Sequence, residues 1–470
     1  MQTWRNQLSI SGAALLLAGC AVGPDYERPE IDVGAQYAYA TVADTAAEPS
    51  AWQPVLPFEV KGAEQWWLLF QEPQLNAWLL QLQAANLSLE QAEARYRQAQ
   101  ASLGQAQASF FPTLGTSASG QRSGSGQSSP QNQYNLNLNA SWEPDLWGRV
   151  RRSVEAAEAS LEASAADVLA TRLSIESTFV QSYFQAKYVL AAQQLYEQTI
   201  AAYERSLQNN INRFEVGLVS SADVASAQAQ LDNARTQRLA LNRQWGQLRN
   251  AMAVLLGQPP AAFDLILEQS SAEAVLPIIP VGVPVQLLVR RPDVAAAERR
   301  VAAANAQIGV AQSAWLPNLT LSAQGGYSSG SWSDWISAPA RFWSLGPALA
   351  FTVFDGGART ARVNEAIATY DVQAATYKQT VLEALREVED NLVQWHGLQQ
   401  EFISQQNALA AARESLRLTR NQFDAGMIDY LAVAQVETNA LSTERATLAL
   451  QNDLFITATQ LISALGGRWD

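Results

Sequence analysis

The sequence predicts a mainly helical chain that also contributes four membrane-type β-strands to a barrel it cannot close alone. Three observations lead there. Arg149 to about Asn210 holds neither proline nor glycine, is rich in alanine, and repeats Val154, Leu161, Val168 and Ile175 at sevens, with Ala156, Ala163 and Ala170 beside them. That is a coiled-coil seam, and at 1.5 Å per residue the helix is a rod of roughly 93 Å. Second, four runs alternate apolar and polar residues with period two. Third, Phe214 and Phe423, Gly217 and Gly426, and Leu256-Gly257 and Leu465-Gly466 are all offset by 209 positions. An offset held that long marks an internal duplication.

The chain opens with a single basic residue, Arg5, an apolar run from Leu8 to Ala18, and Leu17-Ala18-Gly19-Cys20. Residues 1–19 have the composition of an export signal and are too short to span a bilayer. Cys20 is the only cysteine, so no internal disulfide can form. Residues 20–65 read as an extended arm, opened by Gly23-Pro24-Asp25-Tyr26-Glu27-Arg28-Pro29, where proline imposes polyproline or turn geometry.

The first structural repeat spans residues 66–257. A short helix begins around Trp66–Leu79 and a second runs from Asn86 until Phe111-Pro112 breaks it. Strands follow at about 113–120 and 133–143. In the latter, Tyr134, Leu136, Leu138, Ala140 and Trp142 alternate with Asn135, Asn137, Asn139 and Ser141. The long helix then reaches a tip at 211–223, where Gly217 suits a left-handed C-cap and a Ser or Asp within Ser220–Asp223 can cap the returning helix. Gly257-Gln258-Pro259-Pro260 stops that helix.

Residues 258–291 form an equatorial linker, and 292–470 a second repeat with strands at about 319–328 and 344–354 and a tip at 421–431. Its earlier part aligns at an offset of 205, Ala92-Glu93 with Ala297-Glu298, Gly104 with Gly309 and Pro112 with Pro317. The change from 205 to 209 falls between Gly120 and Gly148, where loops tolerate length. In both halves two shorter helices, ~36 and ~54 Å in the first, add up to the long one, so they stack end to end beside it.

Strands of 9–10 residues match a tilted outer-membrane crossing. Four cannot close a barrel, and an open sheet in lipid leaves backbone groups unpaired, so the barrel must be shared. Two copies give eight strands and three give twelve, of which only the larger encloses a passage. Trp142, Trp147, Trp332, Trp335 and Trp343 then read as interfacial anchors. A soluble sheet with one wet face is the alternative on pattern alone.

Composition excludes other classes. The net charge is −13 and the basic residues are almost all arginine, which argues against nucleic acid as a partner. One histidine, no cysteine pair and no phosphate-cradling loop give no catalytic, metal or cofactor site. Glu387, Glu389 and Asp390 have helical spacing without a His or Cys partner and read as a solvated face, and His396 as a packing or surface residue.

The Leu-Ala-Gly-Cys start with Pro24-Asp25-Tyr26 and Arg28-Pro29, the run Leu287-Leu288-Val289-Arg290-Arg291-Pro292-Asp293, both Phe-x-x-Gly tips and the closing Ala464-Leu465-Gly466-Gly467 resemble the TolC-type outer membrane factors, best the lipidated OprM/NodT-type branch. The resemblance covers essentially the whole mature chain. It implies lipidation of Cys20, with Ala21 directing the chain to the outer membrane. It also implies a homotrimer: a twelve-stranded barrel, four strands per chain, continued by a twelve-helix periplasmic tunnel of coiled coils with a small girdle. Such proteins are exit ducts of tripartite efflux pumps, working with a periplasmic adaptor and an inner-membrane RND-type transporter. Export of protein in a type I system and a lipid-anchored coiled-coil spacer are the alternatives.

The resemblance places a gate at the tips, around the turns at Phe214, Gly217, Phe423 and Gly426. Asp223 matches the family's tip aspartate, and serves either there or as an N-cap. Near Tyr430 the family usually carries Asp where this chain has Ala434. Asp429 or Glu437 then either replaces that acidic ring or is a solvated surface charge.

Overall fold

The computed structural model describes residues 21–34, 36–39, 65–126, 129–267, 276, 277, 279 and 290–467. The export signal, Cys20, most of the arm beyond Tyr39 and most of the linker lie outside the described residues.

A 3₁₀ turn at Trp66–Phe70 leads into α1 (Pro73–Ala85) and α2 (Leu87–Ala108), then β1 (Thr113–Ser123), β2 (Gln131–Trp142), α3 (Arg149–Glu215) and α4 (Ser221–Leu255). The second half brings α5 (Pro292–Ser313), β3 (Asn318–Ser329), a 3₁₀ turn at Ala338–Ala340, β4 (Arg341–Ala350), α6 (Ala358–Asp424) and α7 (Tyr430–Ala464). Corresponding helices have equal lengths: α2 and α5 are 22 residues, α3 and α6 are 67, α4 and α7 are 35. At 67 residues a helix is about 100 Å long, longer than the seam requires, because it continues past Asn210 into the tip.

Two compact units are distinguished. The first comprises residues 1–31, 94–166 and 295–380, and holds the sheet. Its four antiparallel strands pair in the order β1-β2-β3-β4. Trp142 donates its indole N–H to the carbonyl of Phe110, and Trp147 to that of Pro317 at 2.7 Å, so both fasten the strand ends to the helical chain. Trp147, half-buried, is therefore also a joint residue. The fourth strand begins at Arg341 and ends at Ala350, three residues earlier at its start and four at its end than its alternation suggests. Phe351 and Val353 continue the pattern in sequence but lie beyond the last pair, Asn318 with Ala350.

The beginning of α3 turns small residues inward. Ala156, Ala159 and Ala163 are buried, whereas Val154 and Leu161 are only half-buried, because close backbone approach selects the alanine stripe and leaves the larger heptad positions at the margin. The arm lies against this unit. Val22 N–H donates to Trp147 O, the buried Arg152 donates to Val22 O, Gly23 O and Asp25, Asn305 donates to Pro24 O, and Tyr26 O–H donates to Glu298 at 2.5 Å. The fit requires glycine: a Cβ on Gly309 would sit 2.8 Å from Val22 O.

The second unit comprises residues 32–93, 167–294 and 381–470. Its core packs Trp67, Phe70, Leu75, Leu79 and Leu82 against Phe179, Tyr183, Phe184, Leu392, Phe455 and Leu461, with Phe184 and Phe455 stacked at 4.5 Å. Buried carboxylates here are paired, as desolvation demands. Glu72 accepts from Tyr183 O–H and Lys187, and Glu176 from the Trp66 indole and Gln83; burial pushes the Glu176 carboxyl up.

The end-to-end joints lie in this unit, and the two halves make them differently. Asn86 accepts from the backbone N–H of Ser88 and Leu89, opening α2, and donates to Leu255 O at the end of α4. In the second half Arg291 donates to Ala464 O at the end of α7, and its guanidinium is held by Asp293 and Glu387. Glu387 is thus an ion-pair partner, and Glu389 accepts from the backbone of Ala38 and Tyr39, so the reading of these acids as a merely solvated face is corrected for both. Only Asp390, paired with the exposed Arg386, fits it.

Candidate channel elements: the strand face and the helix tips

Directly paired residues of an antiparallel sheet share a face, so the register decides where each side chain goes. Leu114 pairs with Ala140 and Ala118 with Leu136. Leu136 pairs with Tyr327, Ala140 with Ala323 and Trp142 with Leu321. Leu321 pairs with Pro347, Ala323 with Leu345 and Leu319 with Leu349. One face is therefore apolar across all four strands. The other collects Ser117 opposite Asn137, Asn139 opposite Gln324, Ser141 opposite Ser322, and Gln324 opposite Ser344. On the apolar face Leu114, Leu345, Leu349 and Trp343 are exposed, the last by 82%. Such a surface has lipid as its natural solvent. Among the described residues nothing pairs the outer edges of β1 and β4.

The tips belong to the second unit. Gly217 has φ +78° and Gly426 φ +69°, and both close their helices in the same way. Leu218 N–H reaches back to Arg213 O and Gly217 N–H to Phe214 O; Met427 and Gly426 do likewise to Gln422 and Phe423. These paired bonds satisfy the last helical carbonyls and require the left-handed residue.

Beyond the turns the two tips diverge. In the first, Ser220 is the N-cap of α4 and Asp223 closes a capping box: Ser220 Oγ accepts from Asp223 N–H, and the Asp223 carboxylate accepts from Ser220 N–H at 2.8 Å and from Ser220 O–H at 2.7 Å. Asp223 is thus not the N-cap itself, because the N-cap is set three residues earlier. Phe214, Val216 and Leu218 are exposed.

In the second tip Asp429 is the N-cap of α7, accepting from Ala432 N–H at 3.1 Å. Tyr430 is 2% exposed; its hydroxyl meets Ser206 Oγ and Gln230 Oε1, each at 3.0 Å. Burial pushes its phenol up. Gln230 also donates to Ala434 O and Thr438. Glu437 is 7% exposed and accepts two bonds from Arg420, at 3.1 and 2.8 Å, on one carboxylate oxygen. The solvated reading of Glu437 is therefore corrected: helical periodicity from Tyr430 and Val433 turns it inward. Ala434 packs with Ala227, Tyr430 and Val433, so an aspartate there would bury an uncompensated charge. Arg420 had no motif to reveal it; its spacing from Glu437 across the turn was the available signal. Phe423 is packed against Tyr430 at 5.9 Å and beneath the Arg213 guanidinium at 4.5 Å.

The model of the outer membrane efflux protein family matches residues 78–258 and 283–467. The chain belongs to that family. It is 29% identical over 475 residues to the probable efflux pump outer membrane protein TtgC of Pseudomonas putida, covering 99% of this chain and 96% of TtgC. It is 27% identical to the cation efflux system protein CusC of Escherichia coli, covering 97% of each. Its fold superposes on the outer-membrane channel OprN with a TM-score of 0.85 at 30% identity, over 96% of this chain and 100% of OprN. The open state of the Neisseria gonorrhoeae outer membrane channel MtrE gives 0.83 at 26% identity, over 95% and 98%. The chain is therefore a channel protein rather than an enzyme.

Proposed function

We propose that three copies of this chain form the outer-membrane exit duct of a tripartite efflux pump, receiving cargo from an RND-type transporter through a periplasmic adaptor. The observation that carries this is the strand register: an apolar outer face, a polar inner face and two open edges. Three such sheets, joined edge to edge, give twelve strands with every ladder bond satisfied. The inner face carries asparagine, serine, glutamine and glycine without a charge, so the barrel imposes no charge selection on what passes.

The chain is anchored by lipid at Cys20, as in the OprM/NodT-type branch. Ala21, the residue that follows, lies beside the joint between β2 and α3: a Cβ on Gly148 would lie 2.9 Å from Ala21 Cα. From Val22 onward the arm is bonded to that joint and its neighbours, through Val22 N–H to Trp147 O and through Arg152 to the carbonyls of Val22 and Gly23. The helix tips gate the tunnel by an iris-like loosening, with Tyr430 and the Arg420–Glu437 pair as the main fastenings and the Asp223 box as a lesser one.

Planar-bilayer conductance tests the duct. Purified wild-type protein conducts, and a chain lacking Tyr134–Trp142 neither inserts nor conducts; insertion of the deleted chain would overturn the barrel assignment. Palmitate labelling tests the anchor: Cys20→Ser is exported without label, and equal labelling of the two chains would overturn lipidation.

A further inference from the structure

The four strands contain two charged residues, Arg122 and Arg341. Both lie on the apolar face. Arg341 pairs with Tyr327, in the row that continues through Leu136 to Ala118, and Arg122 follows Ala118 and Gly120 along β1. Both also lie at the same end of the sheet. The four helices that flank the strands, α2, α3, α5 and α6, join the other end, near the pairs Thr113–Ser141 and Asn318–Ala350, so the arginines stand at the loop end. If the helices run into the periplasm, that end is the outer leaflet. A cation on a lipid-facing surface is costly unless it meets a headgroup, so two arginines confined to this rim call for an anionic partner. Among the described residues neither forms an ion pair, and Arg341 donates only through Nε to Ala338 O.

The loop between β3 and β4 adds the apolar part of the site. Tyr134, on the apolar face, packs its ring against Trp332 at 5.3 Å and Trp335 at 6.0 Å, and the two indoles meet at 5.1 Å. The loop thus folds over the lipid side of the sheet, not across the mouth. Trp332 and Ile336 remain 68% and 67% exposed, with Asp334 between them.

We infer that this rim is a binding site for the phosphate-bearing headgroup of an outer-leaflet lipid, with Arg122 and Arg341 engaging phosphate and the Tyr134–Trp332–Trp335 cluster seated among the upper acyl chains. The inference rests on the shared-barrel reading. Arg122 sits on β1 and Arg341 on β4, the two edge strands, so closing the barrel brings an arginine from each of two neighbouring copies to one seam. Guanidinium groups suit phosphate because their planar fork bonds it in pairs. Three seams give three sites.

The test uses the full-length trimer in mild detergent, titrated with a bisphosphorylated acylated disaccharide lipid, with its dephosphorylated form and with inorganic phosphate, and read by native mass spectrometry. The wild type retains up to three phosphorylated lipids, and binds the dephosphorylated lipid at least about tenfold more weakly, since each charge-assisted bond contributes roughly a tenfold factor. Inorganic phosphate alone is not retained. Arg122→Gln/Arg341→Gln loses the preference, Arg122→Lys/Arg341→Lys keeps part of it, and Arg149→Gln, at the helix end of the sheet, leaves it unchanged. Equal retention of phosphorylated and dephosphorylated lipid by the wild type would overturn the site without recourse to any variant, as would an unaltered preference in the double Gln chain. Conductance of the same preparations separates the two readings: a conducting trimer without lipid preference removes this site and leaves the duct.

Discussion

The two helix tips share a backbone and differ in nearly every side chain that fastens them. Both turns place glycine in the left-handed region and close with the same pair of backbone bonds. Yet at the 209-residue offset Tyr430 corresponds to Ser221, Arg420 to Ile211 and Glu437 to Gln228. The second tip therefore holds a buried tyrosine bonded to the first hairpin and a carboxylate paired across its own turn, while the first relies on a capping box that touches only itself. Even the duplicated phenylalanines part company: Phe423 is packed under Arg213, and Phe214 is 47% exposed. Turn geometry is a backbone requirement that survives duplication. Fastening is a side-chain property, free to be concentrated in one copy, and here the second tip carries it.

If that asymmetry governs the gate, variants rank by tip. Arg420→Ala has the largest effect: it leaves Glu437 buried without its partner. A fully buried pair broken in this way costs about 3–5 kcal/mol, but Arg420 is half exposed, so about 2 kcal/mol per copy is expected. With three copies, open probability in a planar bilayer rises well over tenfold. Restoration by Glu437→Gln in the same chain, which removes the stranded charge, sharpens the assignment; an unchanged open probability in Arg420→Ala breaks it.

Tyr430→Phe comes next. It keeps the ring in its apolar contact and removes the bonds to Ser206 and Gln230, about 1–2 kcal/mol together. Open probability rises several-fold, and the same conductance assay would count against the tyrosine if the Tyr430→Phe chain gated as the wild type does. Asp223→Ala removes one half of a capping box, about 1 kcal/mol, and is confined to a partly exposed tip. Its effect is smaller than that of Tyr430→Phe and larger than that of Asp453→Ala, a substitution far from both turns; a larger effect than Arg420→Ala would invert the comparison. Asp429→Asn is the smallest, because asparagine caps a helix about as well. A change in thermal midpoint beyond about 1 °C would mean that the Asp429 charge does more than cap.

Much of this was legible from the sequence wherever backbone periodicity or turn chemistry speaks. The alternation in Tyr134–Trp142 set the strand and its faces, and the Phe-x-x-Gly pairs set both turns. Side-chain partnership across distant segments was not legible. Glu437 looks like any surface acid until the phase of α7 is fixed by the buried Tyr430 and Val433, and nothing local marks Arg420 as its partner. Trp147 belongs to the same class, since its bond to Pro317 joins positions 170 apart. Ser220 could be told from Asp223 as N-cap only once the first helical residue was known. The meaning of the two strand arginines also waited on register, which alone puts both on the apolar face.

A duct of this kind requires that one chain supply a third of the barrel. The direct measurement is a disulfide cross-link between edge strands: cysteines placed singly along Leu114–Ala118 and Leu345–Leu349 in a Cys20→Ser background, oxidised in pairs within outer membranes, then resolved by denaturing electrophoresis. A shared barrel gives ladders of dimer and covalent trimer that stop at three, from β1–β4 pairs only, with none from cysteines on β2 combined with those on β3 beyond the intrachain product. A chain that stays monomeric under oxidation while retaining its strand content and its place in the membrane would contradict it, because then the edges of β1 and β4 are not joined to other copies and the duct has no wall.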